Sequence, residues 1–128
     1  MNRKDIVRVQ NMVVRYGEAL ILNEIRFSVK EKEIFIILGG SGSGKTTLLR
    51  HMVGLERPAS GHVYIGDIDI TATDEEDFTN ALKKIGVLFQ GSALLGSMTI
   101  AENVALPIVE FTRLPRGAIE AILEIKLC

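Results

Sequence analysis

The chain has 128 residues, an apolar fraction of 47% and a formal net charge of −1, from 15 basic and 16 acidic side chains. This length suits one small domain or part of a larger one, and the composition is that of a globular protein. The balanced charge argues against a nucleic-acid-binding surface or a polybasic membrane anchor, and no apolar run approaches the roughly 20 residues of a membrane-spanning helix. The single cysteine, Cys128, rules out an intrachain disulfide, which fits a reducing, cytosolic compartment.

The first part of the chain is predicted to be β-structure. Apolar residues indicate a strand at residues 6–14, with an irregularity at residues 10–11 and a turn at residues 16–18. Residues 25–29 alternate between apolar and polar side chains, which is the pattern of a half-buried antiparallel strand. Residues 34–38 form an uninterrupted apolar run, and such a run predicts a buried parallel strand.

A glycine-rich loop with the sequence GGSGSGKT follows this run, at residues 39–46. It fits the pattern G-x-x-x-x-G-K-S/T, in which backbone N–H groups cradle phosphates, the lysine reaches the β- and γ-phosphates and the hydroxyl ligates Mg²⁺. Residues 47–53 are predicted to continue as a helix that ends near Gly54 and directs the positive end of its dipole at the same anion. A flexible Gly/Ser linker is the alternative, but a linker needs neither the Lys45-Thr46 pair nor the apolar run. A dinucleotide-binding G-x-G-x-x-G cannot be fitted to this loop.

Beyond the loop helix the sequence predicts further strands. Residues 62–65 and 68–70 are short apolar segments separated by a turn, and residues 85–89 are an apolar run that ends at Gln90. His51, on the loop helix, is expected to be a surface or partly packed residue rather than a functional histidine.

Two helices are predicted from capping boxes, in which a Ser or Thr N-cap precedes a Glu three residues later. Thr73 is the expected N-cap of a helix that runs toward Lys84, and Thr99 is that of a helix that Pro107 interrupts. Pro115 suits the first turn of a last helix. The apolar face of this last helix consists of Ile119, Ile122 and Leu123.

The sequence lacks a clear acidic strand of the kind that a phosphate-loop hydrolase uses to hold Mg²⁺ through water and to polarise the attacking water. The apolar run before Gln90 ends without a carboxylate, and Asp67 follows a glycine after a short segment, so a turn residue is the better interpretation of Asp67. The acidic residues 74–77 are expected to form a solvated helix face. The guanine-reading motif N-K-x-D is absent from the sequence, which argues against a GTPase.

In their order and spacing, these landmarks resemble the N-terminal half of an ATP-binding-cassette (ABC) ATPase, over nearly the whole chain. Residues 60–70 are similar to the family's S-G-x-V-x-x-x-G-x-D-I hairpin, residues 85–90 to the strand that ends in the Q-loop glutamine, and residues 99–104 to its T-V/I-x-E-N-V helix start. The resemblance implies an α/β fold, a P-loop NTPase (RecA-like) core with an N-terminal antiparallel β subdomain. Gly40 departs from the family, which usually has proline there; no N–H donor is lost, so binding is expected to survive.

The resemblance also implies roles for single residues. Tyr16 is similar to the aromatic residue that stacks on adenine, with simple packing under a turn as the alternative. Thr46 and Gln90 are implied to ligate Mg²⁺, and Lys45 and Gln90 to be the catalytic residues of this part of the cassette. The implied cofactors are ATP and Mg²⁺, and the implied nucleotide-binding residues are Tyr16, Gly39, Gly40, Ser41, Gly42, Ser43, Gly44, Lys45, Thr46 and Thr47.

The family resemblance implies partners as well. These are a transmembrane permease subunit, contacted through the Q-loop region, and a second copy of the ATPase subunit. The implied location of the ATPase subunit is the cytoplasm, peripheral on the inner face of the cell membrane. Residues 88–99, 105–107 and 110–115 are similar to ATPases of the phospholipid-trafficking (Mla-type) transporters, which would add an MCE-type lipid-binding protein to the complex. An amino-acid or lipoprotein-type transporter ATPase is the alternative, and no nucleic acid is expected.

On this resemblance, the chain is part of one ABC ATPase domain, about half of a cassette. The expected parts are an antiparallel β region at about 5–33 and 60–70, a P-loop strand and helix at 34–54, and a Q-loop strand with the start of a helical subdomain at 85–128. The L-S-G-G-Q signature, the acidic strand and the switch histidine are not in the sequence, so the chain is expected to bind nucleotide without hydrolysing it and to leave one side of its sheet uncovered.

Two hypotheses from other classes stay open. One is a non-catalytic nucleotide-binding or interaction module. The other is a small phosphotransferase, for which Arg113 and Arg116 are too few and too far along the chain to form a lid.

Overall fold

The computed structural model of the chain describes residues 3–128 and divides into two compact units, one ending at Gly86 and the other spanning Val87–Cys128. The strands described in the first unit are β1 Asp5–Tyr16, β2 Ala19–Lys30, β3 Ser60–Ile65 and β4 Ile68–Asp69, and its helices are α1 Lys45–Met52 and α2 Glu75–Leu82. The second unit contains α3 Ile100–Phe111 and α4 Arg116–Leu127. None of the helices between residues 3 and 128 is long and apolar enough to cross a membrane.

The four strands form one antiparallel sheet with the order β2-β1-β3-β4. β1 and β2 make a hairpin in which Tyr16 pairs with Ala19 across a turn, where Gly17 takes a φ of 58°. The predicted strands at residues 6–14, 25–29 and 62–65 are therefore confirmed, together with the turn after Tyr16.

A β-bulge in β1 decides which residues of this strand are buried. Asn11 has a φ of 50°, and the pairing register shifts between Val9 and Met12, at the predicted irregularity. The extra residue moves the alternation by one position, so Val9, Met12 and Val14 are all buried. Gly61 of β3 faces the bulge, and a Cβ on Gly61 would lie 2.4 Å from the Asn11 carbonyl oxygen, so the bulge requires glycine there.

The core of the first unit combines one face of the sheet with residues of α1 and α2. It consists of Val9, Met12, Val14, Leu22, Leu48, Val63, Ile65, Ile70 and Ala81. His51 of α1 is also buried, with 2% of its surface exposed, so the prediction of a surface or partly packed histidine is wrong. Its Nδ1 donates to the Thr47 carbonyl oxygen at 2.7 Å, and this hydrogen bond satisfies a ring nitrogen that burial would otherwise leave without a partner.

Residues 34–38 and 85–89 form no strand, so the prediction of apolar strands at both segments is wrong. Leu38 is 87% exposed and Leu88 is 84% exposed. A parallel strand exists only through hydrogen bonds to its neighbours, and none of the strands described between residues 3 and 128 pairs with either segment. The segments keep the composition of buried strands but have no strand neighbours, and only part of each is packed: Phe35 stacks on Phe27 with 5.0 Å between ring centroids, and Ile85 packs against the core.

The helices of the first unit confirm one predicted boundary and correct another. α1 ends at Met52, and Gly54 beyond it has a φ of 75°, as expected for a C-terminal glycine. The N-cap of α2 is Asp74 and not Thr73, because the Asp74 carboxylate accepts a hydrogen bond from the Asp77 N–H at 2.9 Å. The acidic residues 74–77 are exposed, as predicted.

In the second unit, α3 begins with the predicted capping box, since Thr99 and Glu102 each accept a hydrogen bond from the other's backbone N–H. The predicted interruption at Pro107 is wrong, because α3 continues to Phe111 with the proline inside it. Pro115 is the N-cap of α4, one residue before the first turn in which the sequence predicts it. Ile119, Ile122 and Leu123 of α4 are half-buried, in agreement with the predicted apolar face.

Candidate functional site

The glycine-rich loop ends where α1 begins, at Lys45. Gly44, the N-cap, has a φ of 93° and lies in the left-handed region that favours glycine. A Cβ on Gly44 would also lie 3.0 Å from Cδ2 of Leu22, so the packing adds a tight contact to the backbone preference for glycine. The Ser43 N–H donates to the Gly40 carbonyl oxygen at 3.2 Å and closes the turn that leads into the helix.

The N-terminus of α1 has no side chain that caps it. Gly44 has no side chain to accept a hydrogen bond, whereas Asp74 caps α2 and Thr99 caps α3; α4, after Pro115, likewise has no side-chain cap. The first turn of α1 also contains no acidic residue. Backbone N–H groups at such an end can therefore donate to an external anion, at the positive end of the helix dipole and without a competing carboxylate.

The Lys45 side chain lies across its own loop. Its Nζ donates to the carbonyl oxygens of Gly39 and Gly40, both at 2.6 Å, and to Oγ of Ser43 at 3.2 Å. The ammonium group is thereby held beside the loop instead of extending into solvent. A phosphate bound by the loop would meet this charge directly, so the residues present fit a polyphosphate.

A cavity of about 290 Å³ opens beside the loop, close to the smallest volumes typical of ligand sites. Its lining residues are Tyr16, Ile21, Gly42, Ser43, Gly44, Lys45, Thr46 and Thr47. The fold thus brings the predicted Tyr16 together with the loop, although the two are far apart in sequence. Of the other predicted site residues, Gly39 and Gly40 contribute the carbonyls that hold Lys45, and Ser41 lies exposed between them and Gly42.

Tyr16 is anchored by a residue that the sequence analysis did not identify. Its ring is 48% exposed, and its hydroxyl donates to Oε2 of Glu56 at 2.5 Å. This hydrogen bond is the main reason that the pKa of Glu56 lies below its ordinary value and the pKa of Tyr16 above its own. Oε1 of Glu56 also accepts from Arg50 Nη1 at 3.3 Å. No local pattern signals Glu56, because its partners come from β1 and α1.

Two other predicted positions, Asp67 and Gln90, are not among the residues that line the loop cavity. Asp67 is in the turn between β3 and β4 and accepts from Lys4 Nζ at 2.7 Å, which holds the pKa of Asp67 below its ordinary value. It is a turn residue, as the sequence indicated. Gln90 belongs to the second unit, where it is exposed at the start of a turn that spans residues 90–93. Its role toward Mg²⁺ stays a prediction.

A larger cavity of about 350 Å³ lies between α1 and α2 and is a poorer candidate for the site. Its lining includes three carboxylates, those of Glu56, Asp74 and Glu75, which outnumber its one guanidinium group, that of Arg57, and it includes no residue of the glycine-rich loop. Carboxylates repel phosphate, so chemistry favours the smaller cavity beside the loop.

The loop geometry, the uncapped helix and the lysine that lies over the loop define a P-loop NTPase. The family described as "ABC transporter" matches residues 22–126. The chain belongs to this family.

Individual relatives and solved structures agree with the family. The chain is 42% identical over 100 residues to the methionine import ATP-binding protein MetN of Photobacterium profundum, a match that covers 77% of this chain. It is 34% identical over 124 residues, 97% of its length, to the intermembrane phospholipid transport system ATP-binding protein MlaF of Haemophilus influenzae. The ATP-binding cassette MJ0796, in a dimeric post-hydrolysis state bound to ADP and Pi, matches 91% of the chain with a TM-score of 0.80 and 31% identity.

The chain spans only part of each of these proteins. The matched regions cover 29% of the MetN protein, 47% of the MlaF protein and 53% of the MJ0796 chain.

Proposed function

We propose that this chain is the nucleotide-binding part of an ATP-hydrolysing subunit that powers an ABC transporter. The observation that carries the proposal is the cavity shared by the Tyr16 ring, the Lys45 side chain and the N-terminus of α1. The aromatic face matches a purine base, and the cation matches the β- and γ-phosphates. The N–H donors at the helix N-terminus match the remaining phosphate oxygens.

Each group of the cavity then has a task in binding ATP. Tyr16 stacks on adenine, the loop from Gly40 to Thr46 cradles the phosphates, and Thr47 contacts the α-phosphate region. The hydroxyl of Thr46 would hold Mg²⁺, and Gln90 is the second proposed ligand. When bound, Mg²⁺ neutralises charge on the β- and γ-phosphate oxygens.

In the whole protein, two such subunits would enclose two nucleotides, and their closure would act on transmembrane permease subunits from the cytoplasmic side of the membrane. The dimeric state of the MJ0796 cassette supports the pairing. We propose that the 128-residue chain binds nucleotide without hydrolysing it, with hydrolysis a property of the full-length parent. The alternative is a non-catalytic nucleotide-binding module.

For the transported substrate we propose a phospholipid, with an MCE-type lipid-binding protein in the complex. The match to the phospholipid transport protein MlaF extends over 97% of the chain, and residues 88–99 resemble that group. Methionine is the second candidate, because the MetN relative has the higher identity, 42%.

Reconstitution of the full-length parent with its permease would distinguish the two candidate substrates. Phospholipid substrate is expected to stimulate ATP turnover, whereas stimulation by L-methionine alone would favour the second candidate.

The binding proposal is tested by calorimetric titration of the chain with Mg-ATP. Lys45→Ala removes a charge-assisted contact worth about 1.5–3 kcal/mol, so we expect the affinity to fall by about ten- to a hundredfold. Lys126→Ala, on α4, removes a lysine of the same charge far along the chain and is the matched control, with unchanged affinity expected. Equal affinity of Lys45→Ala and the unsubstituted chain would overturn the phosphate-loop assignment, and no binding at all by the unsubstituted chain would favour a structural role.

A further inference from the structure

Tyr16 is held at its hydroxyl by a residue outside the glycine-rich loop, Glu56. Its ring lines the cavity beside Gly44 and Lys45, while its hydroxyl, at the far end of the side chain, donates to Glu56. A tyrosine on an exposed strand end is free to rotate about two side-chain torsions. A short hydrogen bond at the hydroxyl fixes where the far end of the side chain lies, and because a phenolic O–H lies close to the plane of its ring, the direction of the acceptor also favours one ring orientation.

Glu56 is itself held by α1. Arg50 donates to Oε1 of Glu56 at 3.3 Å, and Nε2 of His51 lies 3.9 Å from Oε2. Of these two contacts, the hydrogen bond from Arg50 is the one that holds the carboxylate. Glu56 therefore connects Tyr16, at the end of β1, to the helix that begins with Lys45.

From this geometry we propose that Glu56 is a positioning residue for the nucleotide base. It holds the Tyr16 ring at the angle at which the ring stacks on a purine, and it ties that angle to the helix that carries the phosphate-binding lysine. The inference rests on the proposed function, because it assumes that the cavity binds a nucleotide. Glu56 itself does not line the loop cavity.

The charge state of the pair supports this arrangement. A hydrogen bond from a phenol to a carboxylate is strongest when the phenol is neutral and the carboxylate is ionised. The contact accordingly raises the pKa of Tyr16 and lowers the pKa of Glu56. At neutral pH both groups are in the state that maintains the contact.

Two ligands separate positioning of the base from general stability. Mg-ATP uses the base and the phosphates, whereas inorganic tripolyphosphate with Mg²⁺ uses the phosphates alone. We expect Glu56→Ala to weaken binding of Mg-ATP about three- to tenfold and to leave tripolyphosphate binding unchanged. Tyr16→Phe is expected to have the same effect, and the double substitution is expected to add nothing further, because both changes remove one interaction. Glu18→Ala removes an exposed carboxylate beside Tyr16 and is the control, with both affinities unchanged.

A spectroscopic readout tests the contact directly. Tyr16 and Tyr64 are the two tyrosines of the chain, so in a Tyr64→Phe background the near-ultraviolet absorbance of tyrosinate reports Tyr16 alone. Glu56→Ala and Glu56→Gln are both expected to shift the formation of tyrosinate to lower pH.

The outcomes distinguish this inference from the proposed function. An equal loss of Mg-ATP and tripolyphosphate binding in Glu56→Ala, or an unchanged Tyr16 titration, overturns the positioning role while Lys45-dependent binding survives. Absence of Lys45-dependent binding for both ligands overturns the proposed function instead. If Glu56→Ala does not fold, Tyr16→Phe removes the same hydrogen bond from the other partner and the same comparison applies, whereas Glu56→Gln would keep an amide oxygen that accepts from the hydroxyl.

Discussion

At the scale of single residues, the loop contains glycines of two kinds. Gly44 combines a φ of 93° with a close approach to Leu22, whereas a Cβ on Gly40 would meet nothing within 4 Å and its φ is outside the left-handed region. The conformation of the loop therefore depends on Gly44 far more than on Gly40, the position at which the family usually has proline.

Alanine substitutions measure this difference. We expect Gly44→Ala to lower the free energy of unfolding of the first unit by about 1–3 kcal/mol, from strain and crowding, and to weaken Mg-ATP binding. Gly40→Ala is the matched control and is expected to change stability by less than about 0.5 kcal/mol. Urea denaturation and calorimetry provide the two measurements. Similar losses for both variants would contradict the described loop geometry.

Sequence reasoning is most effective for residues whose role depends on near neighbours. The loop from Gly39 to Thr46 is recognisable because its turn, its helix start and its lysine all lie within one segment. No local sequence pattern predicts the contact between Glu56 and Tyr16, and the burial of His51 is not predicted either, because tertiary contacts create the surroundings of both residues. Tyr16 is identified through the family resemblance alone, since nothing local to residue 16 points to the loop.

At the scale of elements, the same distinction separates helices from strands. The capping box at Thr99 is predictable because both of its partners lie within four residues. The predicted N-cap of α2, Thr73, differs from the observed N-cap, Asp74, by one residue, because both of these adjacent side chains can cap a helix. The apolar runs at residues 34–38 and 85–89 have the composition of strands, but a strand also needs a neighbour, which no local pattern supplies.

The Thr99 cap gives a prediction for α3. Thr99→Ala removes the hydroxyl that accepts from the Glu102 N–H, at a cost of about 0.5–2 kcal/mol in helix stability. Far-UV circular dichroism is expected to show loss of helix in the second unit at lower denaturant concentration. Thr99→Ser retains the hydroxyl and should behave like the unsubstituted chain; a loss equal to that of Thr99→Ala would contradict a capping role.

The second hydrogen bond of the capping box, from the Thr99 N–H to Glu102, makes the stability of α3 depend on pH. The Thr99 N–H donates to the Glu102 carboxylate at 2.6 Å and lowers the pKa of Glu102 from its ordinary value of 4.5. The contribution of Glu102 to stability is therefore present above about pH 4.5 and is lost as pH falls through the lower, folded-state pKa. Helicity of α3 should decline in that acidic range. A Glu102→Gln variant removes the titrating group, and an identical acid response in that variant would exclude Glu102 as the cause.

At the scale of the whole molecule, the apolar segments without strand partners determine how the chain behaves in solution. Ile34, Ile36 and Leu38 are 91%, 70% and 87% exposed, in one continuous segment directly before the loop. Contiguous exposed apolar surface of this kind favours association, and an extended segment with free N–H and C=O groups can pair with another chain.

We therefore expect the 128-residue chain to self-associate at rising concentration, and Ile36→Lys to reduce that association. Sedimentation velocity over a range of protein concentrations measures the effect. Ile125→Lys, at a 77% exposed position of α4, is the control for adding a charge at an exposed apolar residue. If both variants reduce association equally, general repulsion and not this segment is responsible.

The contacts of Lys45 have a consequence for how fast and how tightly a ligand can bind. Because its ammonium already joins the Gly39 and Gly40 carbonyls to Ser43, the loop keeps its curvature before any anion arrives. The phosphate that we propose to bind there would meet a loop that is already ordered, and its binding would require Nζ of Lys45 to exchange hydrogen-bond partners. Lys45 thus stabilises the loop through its own contacts, at the position from which we propose that it contacts phosphate.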